Sequence, residues 1–288
     1  MKAVAEALPS VRGRKPRRTG KVWRNLTIAV SLLSFVLLAS LAAVLFLPDP
    51  GAQDLRNTLQ PPSLQHPFGT DDLGRDLLSR TLHATWLDLG LALSVTAASI
   101  VLGGLIGLLA GYRGGWVERA LMRLVDFVVG FPYLVFVLVV VAVLGPGILS
   151  LVVALMMFNW ALYARLVRSE ILTIREAAYV DAARSMALPT PRIVFRHVLP
   201  NLLRPLAVYA LSDVMGVILL IASLSFLGLG VPPPTPEWGA IIADGQEQLG
   251  LAWWMSTLPG LVVLVVGYAL MLAGDSLGEI LGVNRDLT

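Results

Sequence analysis

Five stretches of the chain, 26–47, 89–112, 127–145, 147–164 and 256–274, carry no Lys, Arg, Asp or Glu, and a sixth, 205–227, carries one, Asp213. A bilayer core of about 30 Å needs about 20 mostly apolar residues per helix. The pattern therefore predicts an all-α integral membrane protein with six transmembrane helices. It divides the chain into an arm at 1–25, a first helix at 26–47 and an external loop at 48–88. A five-helix core follows at 89–274, with a long loop at 165–204, and then a tail at 275–288. The first stretch lacks a small-residue cleavage site and is expected to be a retained helix rather than a signal peptide.

Basic residues alternate between the connecting segments. Residues 1–25 hold eight (Lys2, Arg12, Arg14, Lys15, Arg17, Arg18, Lys21, Arg24) against Glu6, whereas 48–88 holds three with six acids. Three fall in 113–123 and seven in 165–204, but none at the Pro146 link and none in 228–255, which has three acids. Because Lys and Arg stay cytoplasmic, both termini and the 165–204 loop are expected there. The formal charge of +3 thus comes from an arm at +7 and a remainder at −4. Ahead of a long apolar run, such an arm fixes orientation rather than binding nucleic acid.

Only 14% of residues are charged and 56% are hydrophobic, against roughly 25% charged in soluble domains. That argues against a soluble enzyme. The absence of cysteine excludes disulfides and thiolate metal sites. His66, His83 and His197 lie too far apart in sequence to form a metal-binding pair.

The loop from Glu176 to Asn201 has the pattern of two short helices. Residues 176–187 are rich in alanine and end before Pro189. Thr190 is expected to cap a second helix with Pro191 at its first position, running through Ile193, Val194, Phe195 and Val198 and stopping at Pro200. Ala177, Ala178, Ala182, Ala183 and Ala187 would let another protein's groove approach closely, with arginines at the rim. An amphipathic hairpin lying on anionic lipid fits the same residues.

This loop resembles the signature of the membrane subunits of binding-protein-dependent ATP-binding-cassette importers. The match runs through Asp181-Ala182-Ala183, then Arg184-Ser185-Met186, Ala187 and His197-Val198-Leu199-Pro200. Asp181 replaces the signature's glutamate, Ala187 its glycine and His197 its isoleucine; the histidine is similar to the peptide and nickel branch. His66-Pro67-Phe68-Gly69-Thr70-Asp71-Asp72-Leu73-Gly74-Arg75-Asp76 resembles that branch's external motif. Ser225-Phe226-Leu227-Gly228-Leu229-Gly230 and Pro233-Pro234-Thr235-Pro236-Glu237-Trp238-Gly239 resemble its last external loop, and Gly274-Asp275 the end of its last span. The first helix and long external loop are more similar to the second permease of the pair, the dipeptide-transport C type.

The resemblance implies a bacterial inner-membrane permease that forms a heterodimer with a second permease. Two cytoplasmic ATPases would use ATP and Mg, and an external solute-binding protein would deliver peptide, or alternatively nickel or a metal chelate. This chain would bind lipid but no cofactor, metal or nucleic acid, and would catalyse nothing itself. Its hairpin would dock an ATPase through Tyr179, Asp181, Ala182, Ala183, Arg184, Ala187, Arg192, His197 and Pro200. Such a hairpin could pass nucleotide-driven closure to the spans.

Asp213 is the one carboxylate inside a predicted span, where burying a charge costs at least about 2.5 kcal/mol. It lines a translocation path, where it would suit a cationic cargo, or it makes a structural hydrogen bond. Trp160 and Pro132 are further path candidates, with Pro132 marking a bend that either packs or moves. Asp126 is expected to pair near Arg123, and Trp253 and Trp254 to form an external aromatic belt. A passive channel and an intramembrane aspartyl protease using Asp126, Asp213 and Asp275 are the remote alternatives.

Overall fold

A computed structural model describes residues 19–283; Lys2, Arg12, Arg14, Lys15, Arg17 and Arg18 of the arm, and 284–288 of the tail, lie outside them. The described residues are helical with no strand, only an isolated bridge between Thr70 and Asp76. Among the described residues five helices are long and apolar enough to cross a membrane, or six if a bent pair counts as one span.

The first span, α1 (Thr19–Phe46), buries Ala29, Val36, Ser40 and Ala43. Their spacing of seven, four and three residues is a single seam on a 3.6-residue helix. The seam packs against the last span, while Phe35, Leu38 and Phe46 on other faces stay exposed, as lipid-facing residues do.

The second span, α2 (Leu77–Arg113), has 37 residues, about 55 Å at 1.5 Å per residue. It therefore begins well outside the charge-free stretch. Asp76 caps it, accepting the Ser79 N–H at 2.7 Å. Near its other end, α2 runs parallel to α5 (Ile148–Arg175) through three glycines at four-residue spacing. A Cβ on Gly103 would stand 2.2 Å from the Trp160 carbonyl oxygen, and one on Gly107 would stand 2.5 Å from that of Ala164. Small residues here let two backbones touch where hydrophobic burial gives no drive for helices to associate. Gly114 and Gly115 have φ of +67° and +64° and turn the chain away from α2.

The third predicted span is broken. α3 (Gly115–Val129) and α4 (Tyr133–Leu144) meet at 82°. Their 15 and 12 residues reach only about 22 and 18 Å, so neither crosses alone. Pro132 stands outside both helices, as the extended N-cap residue of α4. It cannot donate a helical hydrogen bond, and it disfavours helix at Phe131. Asp126 pairs with Arg165 of α5 at 2.8 Å, not with Arg123, and Glu118 pairs with Arg168.

Outside the bilayer, the 48–76 segment folds into a fixed cap. Buried Asp71 accepts the Arg75 and Leu73 backbone N–H groups, the Arg75 Nε–H at 2.6 Å and the Arg80 guanidinium. Arg75 and Arg80 also approach Asp244, at 3.9 Å, on α9 (Trp238–Gln246). Burial pushes the Asp244 carboxyl up while these arginines pull it down. Trp254, at the start of α10 (Trp254–Leu281), is 7% exposed and donates its indole N–H to the Thr70 carbonyl at 3.3 Å. It is thus an anchor for the cap rather than a belt residue; Trp253 beside it remains exposed. The segment leading into α9 is fixed likewise: buried Glu237 caps α9, and the Trp238 backbone and indole N–H groups bond Asp88 and the Thr81 carbonyl.

Candidate functional site

The loop following α5 is a compact hairpin of α6 (Ala178–Ser185) and α7 (Thr190–Ile193). The turn between them explains a position where sequence alone leaves the geometry open. Ala187 has φ +53°, its N–H bonds the Arg184 carbonyl, and the Leu188 N–H bonds the Ala183 carbonyl. These are the paired bonds of a helix end that turns through a left-handed residue, where glycine is favoured. Alanine holds the turn at a steric cost. Pro189, not Thr190, is the N-cap of α7, and Thr190 is already helical.

The second helix does not stop at Pro200. A widened π-turn, Val194–Val198, leads directly into α8 (Leu199–Phe226), with Pro200 in its first turn. In an ordinary helix Pro200 would leave a carbonyl unpaired and clash with the preceding turn. The π-turn opens that turn, with the Leu199 N–H reaching the Val194 carbonyl, and Asn201 Nδ2 donates to the His197 carbonyl at 2.8 Å. The hairpin and the fifth span are consequently continuous.

The candidate docking residues divide by exposure. Tyr179, Asp181, Ala182, Arg184, Ala187, Arg192 and Pro200 are exposed, and His197 is half-buried. Ala183 is 1% exposed and sits in a cluster with Val180, Ile193 and Val198, so it holds the hairpin together instead of presenting a surface. The same cluster continues into Val167, Ile171 and Tyr163 of α5 and Leu202 and Leu206 of α8. A polar cavity of about 510 Å³ opens at the hairpin's root, lined by Tyr112, Arg175, Glu176, Asp181 and Arg184.

Asp213 on α8 lies at the other end of this path. Its Oδ2 accepts from Thr96 Oγ1 at 2.8 Å, Asn159 Nδ2 at 2.9 Å and Tyr163 Oη at 3.0 Å. One carboxylate oxygen therefore joins α2, α5 and α8. Thr96, Asn159 and Tyr163 are buried, whereas Asp213 is half-buried. Tyr209 stands edge-on to Tyr163 with ring centroids 5.1 Å apart. Pro132 is adjacent to Tyr133, whose ring stacks on Phe158 at 4.3 Å. Trp160 is elsewhere: its indole donates to the Met157 carbonyl and its ring packs toward α3. A search for charges in spans finds Asp213 but misses its three donors, which the sequence shows only as neutral polar residues within or at the edge of apolar stretches.

Residues 103–281 match the family described as "Binding-protein-dependent transport system inner membrane component". The chain belongs to this family. It is a multi-pass inner-membrane component, in agreement with its spans. It is 40% identical over 264 residues to the "Di/tripeptide transport system permease protein DppC" of Pseudomonas aeruginosa (strain UCBPP-PA14), covering 88% of this chain and 87% of that one. It is 34% identical over 252 residues to the "Dipeptide transport system permease protein DppC" of Alkalihalophilus pseudofirmus, covering 88% and 83%. Its fold is similar to a chain of the inward-facing MetNI methionine ABC transporter, with a TM-score of 0.59 and 19% identity, covering 72% of this chain and 96% of that one.

Proposed function

We propose that this chain is one of two permease subunits of an ATP-driven importer of short peptides, with both termini and the hairpin in the cytoplasm. The observation that carries this reading is the unbroken hydrophobic cluster from Val180 and Ala183 through Ile193 and Val198 to Tyr163 and Leu206. Pressure on the hairpin by an ATPase cannot be absorbed inside it, because the π-turn joins it to α8 and the cluster joins it to α5. Closure of two ATPases around ATP would shift α8 against α2 and α5, changing the relative stability of two packings of the bundle. Hydrolysis of ATP with Mg belongs to the ATPases, and cargo selection begins on an external binding protein. Peptide is preferred over nickel because both relatives described above carry peptide-transport names.

Proteoliposomes holding this chain, its partner permease and the two ATPases, supplied with the loaded binding protein, test the reading. Labelled dipeptide should accumulate only with ATP on the ATPase side. Flux through this chain alone, or accumulation without ATP, would overturn it.

A further inference from the structure

The Asp213 carboxylate is half used. All three of its hydrogen bonds arrive at Oδ2, and among the described residues none reaches Oδ1. The residue is half-buried, so this second oxygen is not sealed in protein. A carboxylate facing hydrocarbon is costly, and intramembrane acids face a bundle interior or a water-filled cavity. Two further polar atoms nearby are unpaired. Asn159 is fully buried, and its Nδ2 donates to Asp213 while its Oδ1 has no partner. The Tyr133 hydroxyl is likewise buried without one. Thr96 links this cluster to a groove of about 370 Å³ between α2 and α8, lined by Leu93, Ala97, Ala210, Leu211 and Val214.

The free groups are two acceptors and a phenol, with the rings of Tyr163 and Tyr209 alongside. No Lys or Arg lies in the apolar stretches that meet here. From this arrangement we infer that Asp213 is an ammonium station in the translocation path, which receives the free amino terminus of a peptide at Oδ1. An ammonium supplies the missing donors. The three donors on Oδ2 fix the carboxylate so that Oδ1 stays open. This inference rests on the peptide-import reading.

The chain has no cysteine, so Ala210→Cys places a single thiol in the groove. In the complete complex, held nucleotide-free and then ATP-bound, its modification by 2-aminoethyl methanethiosulfonate is compared with that by the anionic 2-sulfonatoethyl reagent. A carboxylate in a confined aqueous path should favour the cationic reagent by about tenfold or more beyond their solution ratio. Asp213→Asn should abolish this preference and Asp213→Glu retain it. Millimolar Ala-Ala should protect the thiol, and N-acetyl-Ala-Ala should not. A thiol inert to both reagents in both states, or a preference unchanged in Asp213→Asn, overturns the station. Equal protection by both peptides overturns the amino-terminus assignment. Cation preference without protection by either peptide overturns the peptide reading while the charged site stands.

Discussion

The phenolic hydroxyl of Tyr163 donates to Oδ2 of Asp213 at 3.0 Å, and the ring of Tyr163 belongs to the hydrophobic cluster that fills the hairpin between α5 and α8. One side chain thus belongs both to the cluster that extends into the hairpin and to the hydrogen-bond set of the lone acid of the predicted spans.

Exposure separates two neighbouring alanines in the hairpin. Ala182→Trp adds bulk to an outer surface and should prevent ATPase co-purification while the permease still elutes as a folded species. Ala183→Trp adds the same bulk inside a packed cluster, where overpacking costs about 1–3 kcal/mol. It should expose the hairpin to limited proteolysis even without partners. Similar protease resistance for the two variants would count against the inward placement of Ala183.

Ala187 pays for its left-handed backbone. Relief of that strain, about 1–2 kcal/mol, outweighs the flexibility that glycine adds to the unfolded chain, about 0.4–1 kcal/mol. Ala187→Gly should raise the melting temperature of the purified permease slightly, and Ala187→Val should lower it. A lower melting temperature for the glycine variant would contradict the turn.

Adjacent glycines in α2 should behave differently. Gly103→Ala brings a Cβ against the backbone of α5, whereas a Cβ on Gly104 meets nothing within 4 Å. The first should cost about 1–3 kcal/mol, and the second should be neutral or mildly stabilising. Denaturant titration in mild detergent reads both; equal effects would refute the close packing of α2 on α5.

Asp71→Asn leaves the buried Arg75 and Arg80 without their shared carboxylate. Breaking one side of such a buried set costs about 3–5 kcal/mol. The cap should loosen, measured as faster amide exchange at 57–76, with the spans little changed. Unchanged exchange would show that the ion cluster does not hold the cap.

Much of this architecture is legible in the sequence because a bilayer imposes a simple rule on charge. The charge-free stretches mark the spans, and Pro132 marks the place where the third one breaks. The size of that break depends on how α3 and α4 lean on α5, which no local pattern records. Pro200 misleads because the stop it signals is relieved by a π-turn with no distinct sequence pattern. The polar partners of Asp213 are separated from it by 117, 54 and 50 residues. As single Thr, Asn and Tyr residues they do not stand out. Ala183 and Trp254 show the same limit: side-chain type fits a docking surface or an interfacial belt, but tertiary packing turns both inward.

Tyr163→Phe tests the link between hairpin and path most directly, because it keeps the ring in the hairpin cluster and removes only the hydrogen bond to Asp213. The measurement is the number of dipeptides imported per ATP hydrolysed by the reconstituted complex. Loss of a hydrogen bond to a charged group, about 1.5–3 kcal/mol, should lower that ratio severalfold while ATPase docking and binding-protein-stimulated hydrolysis persist. An unchanged ratio, with import and hydrolysis either intact or reduced in parallel, would contradict a coupling route through Tyr163 and Asp213.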